Sequence, residues 1–126
     1  MGNGTPLKPK RLAQGSRIGV FAPASPANSV ELIAGLAELK RQGFQVVSNQ
    51  DSKTEGYFAG LAIERLNSFA ACVNSEQVDG AIALRGGYGS NYLLDFDLKR
   101  NLTLMKAVIG FSDLTTMQIY LWQKCG

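Results

Sequence analysis

A chain of 126 residues, 45% hydrophobic and 18% charged, has the length and composition of one folded domain with a core of its own. Its net charge of +3 is carried in part by Lys8, Lys10, Arg11 and Arg17, without the dense basic stripe and interleaved aromatics that mark a nucleic-acid surface, so no nucleic-acid partner is expected. The absence of histidine excludes a histidine zinc site, a Cys-His dyad and a Ser-His pair formed within these residues alone.

Residues 1–16 are rich in Gly, Pro and Lys and read as an irregular N-terminal segment, ahead of a domain spanning 17–126. Arg17-Ile18-Gly19-Val20-Phe21-Ala22 is a short apolar run closed by Pro23 and Pro26, the pattern of a buried strand. Asn28 or Ser29 can cap a helix whose apolar face holds Leu32, Ile33, Leu36 and Leu39, and Gly43 stops it. Phe44-Gln45-Val46-Val47 follows at once as a second strand. A strand, a helix and a strand joined by tight turns favour parallel pairing.

A polar loop covers 48–57, and a second helix is expected over 60–74 with Ala62, Leu66, Phe69, Ala70 and Val73 on one side. Asp79-Gly80 turns the chain into a third strand, Ala81-Ile82-Ala83-Leu84. The glycine-rich stretch Arg85-Gly86-Gly87-Tyr88-Gly89-Ser90 comes next, then a short helix from Tyr92 to Phe96. Lys106-Ala107-Val108-Ile109-Gly110 is a fourth strand, Phe111-Ser112-Asp113 a turn, and Leu114 to Lys124 a helix. The alternation predicts an α/β fold: a flavodoxin-like, doubly wound parallel sheet of at least four strands with helices on both faces. Strand boundaries are expected at 18–22, 44–47, 81–84 and 107–110.

Cys72 and Cys125 are too far apart in sequence to suggest a disulfide framework or a metal knuckle, and Cys72 falls on an apolar helical pattern. No stretch of about 18 apolar residues is present, so no membrane partner is expected. The start lacks the apolar core of a signal peptide, and Pro6 stands where a myristoylation signal needs Ser or Thr. A soluble, reducing compartment is the expectation.

Ligands of doubly wound folds gather at the carboxyl ends of the strands. Three unusual segments fall there: residues 22–26, the glycine loop 85–90, and residues 110–113. A strand, a sharp turn and an immediate helix around Ser112 form the pattern of a nucleophile elbow, with helix N-terminal amides aimed at the reacting oxygen. Gly110 leaves room for the turn, although Leu114 replaces the last glycine of the G-x-S-x-G pattern. Ser112 acting only as a helix cap is the competing reading. The glycine loop could supply an anion-binding nest or one side of an oxyanion hole; a flexible turn or a phosphate site competes. Asp113 reads as a helix cap favoured by the dipole, and the Asp95/Asp97 pair beside Lys99 and Arg100 as a solvated turn.

Four blocks in this order resemble the LD-carboxypeptidase family, which includes the microcin C immunity peptidases. They are residues 18–26 (Ile-Gly-Val-Phe-Ala-Pro-Ala-Ser-Pro), residues 56–65 with Gly56, Ala59, Gly60 and Arg65, residues 83–94 (Ala-Leu-Arg-Gly-Gly-Tyr-Gly-Ser-Asn-Tyr-Leu-Leu), and residues 108–115 (Val-Ile-Gly-Phe-Ser-Asp-Leu-Thr). Leu61-Ala62-Ile63 departs from the family's more polar pattern. The resemblance implies a cytoplasmic serine peptidase that removes a terminal D-amino acid from a muropeptide tetrapeptide in cell-wall recycling, with no metal or organic cofactor. It implies Ser112 as nucleophile, the backbone amide of Asp113 with one from Gly86 or Gly87 as the oxyanion hole, and Arg85, Tyr88 and Ser90 as substrate-binding residues.

The family's triad is Ser-Glu-His, and its Glu and His lie in a C-terminal domain that these residues are not expected to contain. The chain alone is therefore expected to be inactive, and its expected partners are a muropeptide or other small peptide-like substrate and that C-terminal domain. The apolar run through Leu114, Met117, Ile119, Tyr120, Leu121 and Trp122 adds a homodimer or larger assembly. Should the chain alone prove active, Lys106 or Asp113 would have to serve as the base. Two other functions fit the glycine-rich rim: a non-catalytic binding module, and a flavodoxin-like nucleotide binder using residues 85–90 for phosphate.

Overall fold

The computed structural model describes residues 8–47, 56–98, 102 and 106–125. Most of the expected polar loop 48–57 and the Lys99-Arg100 pair lie outside the described residues. Strand β1 (Arg17–Phe21) leads into helix α1 (Ser29–Arg41) and strand β2 (Gln45–Val47). Helix α2 (Ala62–Asn74) then precedes strand β3 (Gly80–Ala83). A short 3-10 helix (Ser90–Asp95), strand β4 (Ala107–Ile109) and helix α3 (Thr115–Cys125) follow. The four strands form one sheet in the order β2-β1-β3-β4, and every pair is parallel. Each expected strand is present with its ends moved by no more than one residue.

Parallel crossovers are right-handed, and this handedness decides which face each helix covers. The chain leaves β1 toward β2 on one side and returns to β3 on the other, so α1 and α2 fall on opposite faces. The side chains agree. Val20, Ile82 and Leu84 line a cleft with Leu32, Leu36 and Leu39 of α1. On the other face, Phe21 and Ala81 belong to a core with Leu66, Phe69 and Val73 of α2 and Leu114, Met117 and Leu121 at the C-terminal end. Phe21 and Phe69 meet at a centroid distance of 5.0 Å.

The two helices bury themselves unequally. The apolar residues of α2 recur at 62, 66, 69 and 73, one face of a 3.6-residue period, and Leu66, Phe69 and Val73 are buried. Asn28 caps α1 as expected, its Oδ1 accepting the Glu31 amide at 2.8 Å, yet α1 has no buried residue. Its expected face is only half covered, and Ile33 is 67% exposed.

Cys72 packs against the core, and burial pushes its thiol up to about 11, so it stays protonated at neutral pH.

At the amino end of the sheet Arg17 holds Asp79. The Arg17 amide donates to Asp79 Oδ2 at 2.7 Å, and the guanidinium spans both carboxylate oxygens at 3.2 Å. The side-chain bonds and then the backbone bond from Arg17 lower the Asp79 carboxyl to about 2, from an ordinary value of 3.8. Glu38 falls to about 2 under hydrogen bonds from Arg41 and Gln42. A depressed carboxylate adds stability that is complete above its unfolded-state value and is lost as pH falls through its folded value. Chemical denaturation is therefore expected to show stability declining between about pH 4 and pH 2. Asp79→Asn should flatten that decline; an unchanged slope would show that Asp79 is not part of it.

Candidate active site

Strand order fixes where the site falls. Consecutive connections leave β1 in opposite directions, so a crevice opens beyond the carboxyl ends of β1 and β3. The cleft between α1 and the sheet, about 640 Å³ in all, extends to this edge, where Arg85, Gly86, Gly87, Phe111 and Ser112 line it. All three segments singled out in the sequence reach this edge.

Ser112 occupies the turn between β4 and α3. Its φ is 59°, and it is the one non-glycine with positive φ among the described residues. A side chain in the left-handed region is strained, by roughly 1–3 kcal/mol in general, and such strain collects where function requires it. Residues Ser112–Leu114 form a single 3-10 turn that runs directly into α3. Gly110 makes the turn sterically feasible, because the Leu114 side chain lies where a Cβ on Gly110 would stand. Ser112 is exposed, whereas Leu114 and Met117 behind it are fully buried and anchor the turn.

The glycine loop lies against this turn. A Cβ on Gly86 would stand 3.4 Å from Ser112 Cβ and 3.6 Å from the Asp113 amide nitrogen. Arg85 is exposed, and its Nη1 donates to Pro26 O at 3.4 Å. Tyr88 is exposed, and its hydroxyl is 3.1 Å from that of Tyr92. Ser90 differs from Arg85 and Tyr88 in being fully buried. Its Oγ donates to Asp113 O at 2.7 Å, and its amide donates to Asp113 Oδ2 at 2.9 Å. Asp113 thus engages the neighbouring loop, where the sequence suggested a cap for its own helix.

Lys106, the other candidate base, is far from this arrangement. It precedes β4 at the opposite end of the sheet, and its Nζ donates to Ser75 O.

Arg65 is the residue that motif reading undervalued, naming it only within the family resemblance. It is 2% exposed and donates to Pro23 O at 2.7 Å, Gly89 O at 2.8 Å and Gly60 O at 3.2 Å. Its guanidinium also lies over the Phe58 ring, 4.7 Å from the centroid. The available signal was an arginine next to Leu66 on the apolar face of α2. Phe58, Tyr88 and Tyr92 form an aromatic cluster beside it, with centroids 5.8–6.4 Å apart.

A family profile described as the LD-carboxypeptidase N-terminal domain matches residues 18–126. The chain belongs to the LD-carboxypeptidase family. It is 33% identical over 123 residues to a probable murein peptide carboxypeptidase of Bacillus subtilis, covering 94% of this chain and 38% of that protein. Among solved structures it is similar to the microcin C7 self immunity protein MccF in complex with aspartyl sulfamoyl adenosine. The TM-score is 0.78 at 33% identity, over 89% of this chain and 35% of that one. A muramoyltetrapeptide carboxypeptidase from Oxalobacter formigenes aligns with TM-score 0.71 and 29% identity, over 84% of this chain and 36% of that one. The family is one of serine-type carboxypeptidases, and the chain spans little more than a third of the length of these relatives.

Proposed function

We propose that these residues form the nucleophile-bearing part of a serine carboxypeptidase that releases a terminal D-amino acid from a muropeptide tetrapeptide. The observation that carries this reading is Ser112 at positive φ, exposed at the carboxyl edge of the sheet with the Gly86 backbone against it. In this reading the turn is a nucleophile elbow. Ser112 Oγ attacks the scissile carbonyl, and the oxyanion is met by the amide of Asp113 and one from Gly86 or Gly87. Arg85 and Tyr88 flank the opening where the substrate enters, and Ser90 supports the loop from beneath.

A serine needs a base, and the chain has no histidine. The Glu and His of the triad are therefore assigned to a C-terminal domain beyond these 126 residues. The natural setting of the reading is the cytoplasm, where recycled muropeptides are met. Phe111, Ile119 and Trp122, which are 78%, 49% and 62% exposed, support docking of that domain. In its absence the chain is expected to pair with a second copy, and a monomer by sedimentation at high concentration would contradict this.

The direct test uses the chain extended by a C-terminal domain of the family. Incubated with an L,D-configured muropeptide tetrapeptide, it should release the terminal D-amino acid and leave the tripeptide. Cleavage at another bond, or none, would overturn the substrate assignment.

A further inference from the structure

The peptide unit between Gly89 and Ser90 is held from both ends by opposite charges. Its carbonyl oxygen accepts from Arg65 Nη1 at 2.8 Å, and its N–H donates to Asp113 Oδ2 at 2.9 Å. A trans peptide points these two groups in opposite directions, so the cation and the anion sit at the two poles of one dipole, each in the favourable sense. Gly89 and Ser90 are both buried, in surroundings where such contacts are screened less than in water. Gly89 has a φ of 121°, and a Cβ there would stand 2.5 Å from the Phe58 ring and 3.1 Å from Arg65 Nη1. Glycine thus permits both the backbone conformation and the close approach.

Arg65 does more than hold this one peptide. The same nitrogen reaches Pro23 O in the loop leaving β1, and its Nε reaches Gly60 O ahead of α2. One buried guanidinium therefore joins three loops: the one leaving β1, the one ahead of α2 and the glycine loop. Burial lowers the Arg65 pKa, and the Asp113 charge acts to raise it. Asp113 is also the residue after Ser112 and adjoins Gly86, so whatever fixes Asp113 against Ser90 fixes the glycine loop against the nucleophile turn.

We infer that Arg65 and Asp113 act as a charge pair across the Gly89–Ser90 peptide, and that this clamp positions the amides of the glycine loop relative to Ser112. Both are positioning residues through these side chains, and the inference rests on the oxyanion reading of the loop given above. Neither side chain exchanges a proton or forms a bond with substrate in this role.

The test is made on the 126-residue chain with Arg65→Met, Arg65→Lys, Asp113→Asn and the Arg65→Met/Asp113→Asn double variant. Two readouts are taken: amide hydrogen exchange resolved by residue, and, with the same substitutions in the chain extended by a C-terminal domain that supplies the base, the rate at which a fluorophosphonate modifies Ser112. Arg65→Met and Asp113→Asn should each speed exchange of the Ser90 amide at least about tenfold relative to the amides of β1 and β3, the scale of losing one charge-assisted bond. The double variant should go little beyond the larger single effect, because the two charges hold one peptide. Arg65→Lys should recover part of the protection. Phosphonylation should slow by a similar factor in both single variants.

Ser90 exchange that changes only as much as that of the strands, or effects that multiply in the double variant, would overturn the clamp. So would an unchanged phosphonylation rate in Arg65→Met despite an opened loop. Extended wild-type protein that gives no adduct at Ser112 would overturn the oxyanion reading instead, and Ser90 exchange would still decide the clamp. If Arg65→Met does not fold, Arg65→Lys and Asp113→Asn carry the same comparison.

Discussion

Ser112→Ala, in the chain extended by a C-terminal domain, is expected to lower kcat for D-amino acid release by at least about 10⁴-fold while leaving the fold intact. Removing a triad nucleophile leaves only what the oxyanion donors and binding supply, roughly 10³–10⁴-fold above water in well-studied triads. Alanine removes an exposed hydroxyl and relieves none of the backbone strain at φ 59°, so stability should change by less than about 1 kcal/mol. The 126-residue chain without the extension should not reach about 1 turnover per second, the low end of the ordinary enzyme range. The two internal candidates for a base are placed elsewhere: Lys106 at the far end of the sheet on Ser75 O, and the Asp113 carboxylate on the Ser90 amide. Steady-state kinetics on the three proteins checks both expectations. A Ser112→Ala protein retaining a tenth of the activity would remove Ser112 from the chemistry.

Phe69→Ala is expected to have the largest effect on folding, about 3–5 kcal/mol. Phe69 is fully buried at the centre of the α2 face, with the Phe21 ring 5.0 Å away, and the core around it is drawn from α2, β1, β3 and the C-terminal helix. Truncation loses the transfer energy of the ring and leaves a cavity that rigid strands cannot close. Domains of this size have total stabilities of about 5–15 kcal/mol, so the variant should be unfolded or close to it at 37 °C. Urea denaturation gives the number. Ile33→Ala on α1 provides the contrast, since Ile33 is 67% exposed and should cost about 0.5 kcal/mol or less. Equal losses at the two positions would show that the α1 face is as well packed as the α2 face.

The fold was legible because its signals are local and repeated. Four apolar runs of strand length alternate with helical periods, and parallel order with right-handed crossovers leaves few arrangements. The unequal burial of α1 and α2 was not legible, because Leu32, Leu36 and Leu39 have the same periodicity as a fully covered face. Periodicity reports which side is apolar and not what covers it. Ser112 and the glycine loop stood out through turn chemistry and resemblance. Arg65 and the Ser90–Asp113 pair did not, since their partners are mainly backbone atoms at separations of 23 to 42 residues. No spacing rule predicts which carbonyls a buried arginine will reach. Asp113 was read as a cap because local helix electrostatics is visible in sequence and a neighbouring loop is not.

The most direct measurement of the proposed chemistry is the site of covalent capture in the extended protein. A fluorophosphonate forms a stable phosphonyl ester with an activated serine and mimics the tetrahedral oxyanion. Peptide mapping by mass spectrometry should find one adduct, on Ser112, abolished by Ser112→Ala and formed in step with loss of peptidase activity. Loss of activity with the adduct on another residue, or activity that survives full modification of Ser112, would contradict the assignment of this serine as the nucleophile.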